Sequence, residues 1–186
     1  MAKPPRLKTT HWFNTTEKLT LEGMRGRVVL VEVFQMLCPR CVAHGLPQAQ
    51  RVANAFKSED IAVIGLHSVF EHHEAQGAKE ALAAFLHEYR ISFPVGIDAP
   101  SGSGGLPQTM AAYGMQGTPT LLLFDRAGTL RKHKFGIEDD LVLGAEIMSL
   151  INESGIDPAL QNNFEDTGGR CDEHGCAVLP ARQPGA

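Results

Sequence analysis

The sequence predicts an α/β fold: a central mixed β-sheet flanked by helices on both faces. Two observations carry this. Short Val-, Ile- and Leu-rich runs alternate with segments whose apolar residues recur at helical spacing, giving the order β-α-β-α-β-α and then β-β-α. The last two strands are separated only by a short turn, Arg126-Ala127-Gly128, so they pair antiparallel in a sheet otherwise joined by crossovers.

His11 to Leu21 reads as an irregular or short-strand lead-in, and Gly23 to Gly26 as a turn. Arg27 to Phe34 is Val-rich and unbroken, as a strand covered on both faces would be. From Cys38 to about Phe56, Val42, Leu46, Ala49, Val52, Ala53 and Phe56 recur at roughly helical spacing. Pro39 sits where a first-turn proline is tolerated, whereas Pro47 predicts a kink. Ile61 to His67 is a second buried strand and Ser68 to Gly77 a polar loop. Ala78 to Tyr89 is helical, Phe93 to Ile97 a short strand, Asp98 to Gly105 a glycine–serine loop and Leu106 to Tyr113 a short helix. Thr120 to Phe124 and Leu130 to Phe135 form the hairpin, and Glu138 to Ile151 closes with a helix. Beyond it Gly, Pro, Asp and Asn dominate and apolar residues thin out, which predicts a mobile or overlaid tail. The expected division is an N-terminal extension over 1–10, one domain over 11–152 and a cysteine-containing tail over 153–186.

The chain has 186 residues, enough for one domain with its own core plus an appendage. Its net charge of −4 offers no basic footprint for nucleic acid. The N-terminus carries charge with no apolar stretch behind it, and no apolar run approaches a membrane span. The expectation is a cytoplasmic protein with no membrane span and no nucleic-acid partner. Four cysteines are too few for a disulfide scaffold, and their two close pairs suggest redox or metal chemistry.

The pair Cys38-Pro39-Arg40-Cys41 follows the first buried strand and opens a helix. A thiol at a helix N-terminus meets the dipole and free N–H groups that favour a thiolate, and Arg40 adds positive charge. The second thiol lies one turn on, within reach of the first. A nucleophile with a resolving neighbour is the equipment for thiol–disulfide exchange, and C-x-x-C near a βαβ pattern points the same way. A competing reading is half of a zinc site, with Cys171 and Cys176 as the remaining ligands.

Val28 to Cys41 (VVLVEVFQMLCPRC), Gly117-Thr118-Pro119-Thr120 about eighty residues later, and Phe124 to Gly128 resemble the thioredoxin superfamily, in particular its redoxin branch of TlpA- and ResA-type proteins. The similarity runs from about Trp12 to Ile151. Where that family usually has tryptophan before the first cysteine, this chain has Leu37. The resemblance implies a thioredoxin-like fold and a thiol–disulfide oxidoreductase needing no cofactor and no metal. Its partners would be a protein or small-molecule disulfide and an external thiol reductant. It places Cys38 as nucleophile, Cys41 as resolving thiol and Glu32 as the buried acid that exchanges a proton with Cys41. It makes Pro119 a cis-proline facing the cysteines, with Pro39, Arg40 and Thr118 at the substrate. From the residues alone, Glu32 on a wet sheet face and Pro119 in an ordinary trans turn remain open.

Two other activities share the fold. A peroxiredoxin-type peroxidase expects a threonine and a proline shortly before its cysteine, where this chain has Phe34-Gln35-Met36-Leu37. A metal-binding or copper-delivery module favours a CxxxC spacing and a later histidine ligand. The tail motif Cys171-Asp172-Glu173-His174-Gly175-Cys176 admits a second relay dithiol, a small metal site with His174, or an incidental disulfide.

Overall fold

The computed structural model describes residues 3–102, 104–153, 170–172 and 175–177. The chain divides into two units, 1–154 and 155–186. The first is built on a six-stranded sheet with strand order β1-β4-β3-β2-β5-β6. Its strands are β1 (Thr9–Phe13), β2 (Val28–Phe34), β3 (Ile61–His67), β4 (Val95–Asp98), β5 (Thr120–Phe124) and β6 (Leu130–Phe135). The central three, β2, β3 and β4, are parallel; β1 joins β4, and β5 and β6 extend from β2, all antiparallel. The sheet is therefore mixed, as the hairpin predicts.

Every residue of β2, β3 and β5 is buried. Period two divides them between the faces. Val28, Leu30 and Phe34 pack with Leu46, Val52, Leu82 and Ile147 on one side. Val29, Val31 and Val33 pack with Ile64, Met110 and Leu122 on the other. Each such side chain, fully buried, contributes about 1.5–3 kcal/mol. Helices supply the covering stripes: α1 (Leu46–Ala55) through Leu46, Ala49 and Val52; α3 (Lys79–Glu88) through Leu82 and Leu86; α5 (Asp140–Asn152) through Leu143, Ile147 and Leu150. On the opposite face α4 (Gln108–Tyr113) buries Met110. Asp139 caps α5 by accepting from the Leu141 and Val142 N–H groups.

The structure differs from the sequence expectation in four places. Strand β1 begins at Thr9, and Leu7 is buried, so the sheet reaches back into the segment expected as an extension. The polar loop 68–77 contains a short helix, α2 (His73–Gln76). No gradual kink marks Pro47; instead the helix that starts at Pro39 widens over Cys41–Gly45 into a π-type turn, closed by the Leu46 N–H on the Cys41 carbonyl, and continues as α1. Proline has no N–H to give the carbonyl four residues back, and one wide turn ahead of it absorbs the mismatch. The strand ending at Asp98 runs one residue past its expected end, because the carboxylate is claimed by α4.

Of the second unit, an antiparallel ribbon is described, β7 (Arg170–Asp172) with β8 (Gly175–Ala177), in which Cys171 stands opposite Cys176 in register. No helix among the described residues is long and apolar enough to cross a membrane.

Candidate active site

Strand β2 ends at Phe34, and a tight turn closed by the Cys38 N–H on the Gln35 carbonyl (3.1 Å) delivers Cys38 to the start of the helix. There the Cys41 N–H donates to Cys38 Sγ (3.4 Å), while the Cys38 thiol donates to the Thr118 carbonyl (3.6 Å). Both cysteines are free thiols. They differ in access: Cys38 is half-buried and Cys41 fully buried. Burial pushes the Cys41 thiol far up, and its hydrogen bond with Cys38 pushes it the same way. A thiol in such a setting keeps its proton until something takes it.

Thr118 comes from the segment just before β5, and the Thr118–Pro119 peptide is cis. Pro119 is buried and Thr118 half-buried, so the backbone of 118 lies beside the outer sulfur. Pro39 and Arg40 are exposed on the first helical turn.

Glu32 occupies an even-numbered position of β2, the face that α1 covers. It is 2% exposed, and its Oε1 has no hydrogen-bond partner among the described residues. Burial holds its carboxyl well above the ordinary range, and the neighbouring Cys38 adds to this. Gly45, four residues after Cys41, makes room for it. A Cβ on Gly45 would stand 2.1 Å from Glu32 Oε1 and 3.2 Å from Pro119 Cβ. The acid thus lies close against the cysteine helix at Gly45, and Gly45 in turn lies close to the proline loop.

A groove of about 360 Å³ opens beside Cys38, walled by Leu37, Phe70, Glu71, Thr118 and Phe135. A larger groove, about 550 Å³, is lined by Lys3, Arg6, Lys8, Lys18 and Glu22 and contains no cysteine. No group of three or more His, Cys, Asp or Glu side chains among the described residues is arranged to hold a metal ion.

Of the residues singled out from sequence, Cys38, Cys41, Glu32, Thr118 and Pro119 come together, with Pro39 and Arg40 on the outer rim. Cys171 and Cys176 belong to the second unit, and His174 lies outside the described residues. Sequence reasoning passed over Gly45, Gln35, Gln76 and Phe135. A glycine one turn after the second cysteine was the single available hint; the glutamines sit in segments that read as linkers.

No family model matches the chain. It aligns with the crystal structure of the thioredoxin-like superfamily protein SPOA0173 at 57% identity and TM-score 0.78, covering 80% of this chain and 96% of that one. It aligns with a thiol-disulfide isomerase from Corynebacterium glutamicum at 47% identity and TM-score 0.77, covering 81% and 96%. The curated relatives are the DipZ proteins of Mycobacterium bovis and Mycobacterium tuberculosis, 30% identical over 156 residues. The match takes in 81% of this chain but spans only about a fifth (21%) of their length. Fold, paired thiols and these likenesses agree: the chain belongs to the thioredoxin-like superfamily and carries the thiol-pair architecture of its thiol–disulfide oxidoreductases.

Proposed function

We propose that the protein reduces polypeptide disulfides by exchange through a mixed disulfide on Cys38. One observation carries this reading. Cys38 is half-buried and lines a groove, its sulfur set between the Cys41 N–H and the Thr118 carbonyl, with Cys41 fully buried beside it. The Cys38 thiolate attacks one sulfur of the substrate disulfide; that S–S bond breaks and the other substrate sulfur leaves as a thiolate. Cys41 then gives up its proton and attacks Cys38 Sγ, forming the Cys38–Cys41 disulfide and releasing the second substrate thiolate. Two electrons pass to the substrate, and the two released thiolates take up protons. An external dithiol reductant returns the pair to its starting state.

The inner thiol needs a base, and Glu32 supports that role. It is buried on the same sheet face, lies against Gly45 one turn along from Cys41, and has an oxygen free to accept. Pro39, Arg40 and the backbone of Thr118 are the surfaces a substrate chain would meet. In a reducing cytosol, the compartment the sequence suggests, the net direction is reduction. Equilibration with glutathione measures it; a potential near that of strong oxidants, about −120 mV, would reverse the direction.

Trapping tests the mechanism. A Cys41→Ser variant should hold substrates as stable adducts on Cys38, recovered by thiol release and mass spectrometry. A Cys38→Ser variant should hold none. Equal recovery from both, or from neither, contradicts the mechanism.

A further inference from the structure

One wall of the groove is held by two buried amides. Gln35 and Gln76 are 3% and 1% exposed. Gln76 Nε2 donates to Gln35 Oε1 (2.9 Å) and to the Glu71 carbonyl (2.7 Å). Gln76 Oε1 accepts from the Leu37 N–H (3.2 Å), beside the nucleophile. Gln35 Oε1 also accepts from the Phe70 and Glu71 N–H groups (3.2 and 3.3 Å). Two side chains therefore lace residue 37 to residues 70 and 71. The next residue, His72, is held at φ 50°, a backbone state costly for a residue with a Cβ, and it starts α2, which carries Gln76. A surface loop would relax from that state unless its neighbours over-determined it.

The surface so fixed has a definite chemistry. Leu37 and Phe135 stand at the rim with about half their surface open (52% and 49%), and Phe70, half-buried, lines the groove and packs against the core. Among the described residues that line the groove, Glu71 is the only Asp, Glu, Lys or Arg, and His72 stands next to it. An acidic segment entering here would meet the like charge of Glu71, with Arg40 outside the groove on the first helical turn. An apolar segment would gain cover from three apolar side chains.

We propose that Gln76 is a positioning residue: with Gln35 it fixes residues 70–72 as the specificity-determining wall. That wall selects polypeptide disulfides with an uncharged apolar residue beside the cysteine over those with acidic flanks. The proposal rests on the exchange reading, and the bond changes are those already written.

The test uses the full chain, reduced, and three disulfides: a peptide disulfide with leucine beside each cysteine, its twin with glutamate there, and 2-hydroxyethyl disulfide. Wild type should favour the leucine peptide by about tenfold in kcat/KM, expressed in KM. Glu71→Lys should invert that order. Gln76→Ala should bring the ratio towards one, raising KM for the leucine peptide while kcat stays within about twofold. Three results would overturn the proposal: equal treatment of the two peptides by wild type, an unmoved ratio in Glu71→Lys, or one common loss on all three disulfides in Gln76→Ala. Should Gln76→Ala fail to fold, the Glu71→Lys ratio decides alone. Failure of all three disulfides to oxidise the Cys38–Cys41 pair overturns the exchange reading and this proposal with it.

Discussion

Two buried acids of the same sheet have opposite fates. Asp98, at the end of β4, is 4% exposed, and Glu32, in the middle of β2, is 2% exposed. Asp98 accepts from the Ser68 hydroxyl (2.9 Å) and from the Thr109 and Met110 N–H groups (2.9 and 3.2 Å). It ties β3 and β4 to the first turn of α4, where free N–H groups await an acceptor. Glu32 has an oxygen with no partner among the described residues, under the helix that carries the thiols. Burial raises both, but hydrogen bonds work against the rise only at Asp98. The saturated acid is a fastener. The unsaturated one costs stability where it sits, which fits the proton-transfer role proposed for it.

Removing the fastener should be the most damaging change. Asp98→Ala strands two backbone N–H groups and a hydroxyl, and we expect a loss of about 3 kcal/mol in denaturant unfolding. The exchange rate per folded molecule should stay near wild type, since Asp98 does not line the groove. Gly45→Ala comes next. Its Cβ would collide with Glu32 Oε1, at an expected cost of about 1–3 kcal/mol. A double variant with Glu32→Ala should recover much of that loss; strict additivity would show that the acid does not sit against Gly45.

Glu32→Gln should go the other way, stabilising the fold by about 1–2 kcal/mol once the pH exceeds the raised range of the folded carboxyl. The sign follows from linkage. The folded carboxyl holds its proton above the unfolded value of 4.5, so the native state binds more protons than the unfolded state in the window above it. That stability is complete below 4.5 and is lost as pH rises through the folded value. Glutamine removes this decline, so the wild-type and variant curves should diverge as pH rises. Asp98 is present in both and cancels. The same change should slow resolution of the mixed disulfide by about a hundredfold. A faster or unchanged resolving step, with the stability gain intact, would leave Glu32 as mere cost. Ser68→Ala is the mildest change: it removes one of three donors from Asp98, at about 1 kcal/mol, with no effect on exchange.

Legibility in the sequence followed the same division. Strands β2 and β3 were plain because seven consecutive buried positions leave no polar interruption except Glu32 and His67. The thiol pair and Thr118-Pro119 were plain because their spacing is local and specific. Asp98 read as the start of a glycine–serine loop, since nothing local reveals that Thr109 and Met110 fold back onto it. Gln76 read as loop for the same reason: two of its three partners lie 39 and 41 positions away. His67, placed on a strand, is buried and pushed down to about 4, a neutral ring that sequence cannot tell from an exposed one. Glu32 was noticed as a charge in an apolar run, but its lack of a partner is a property of the assembled face.

The thiol pair itself offers the most direct measurement. Brief alkylation of the reduced protein at neutral pH, followed by peptide mass spectrometry, ranks the two sulfurs without any substrate. The half-exposed Cys38 should be modified about a hundredfold faster than the buried Cys41. Equal labelling, or Cys41 reacting first, would contradict an outer attacking sulfur backed by an inner protonated one.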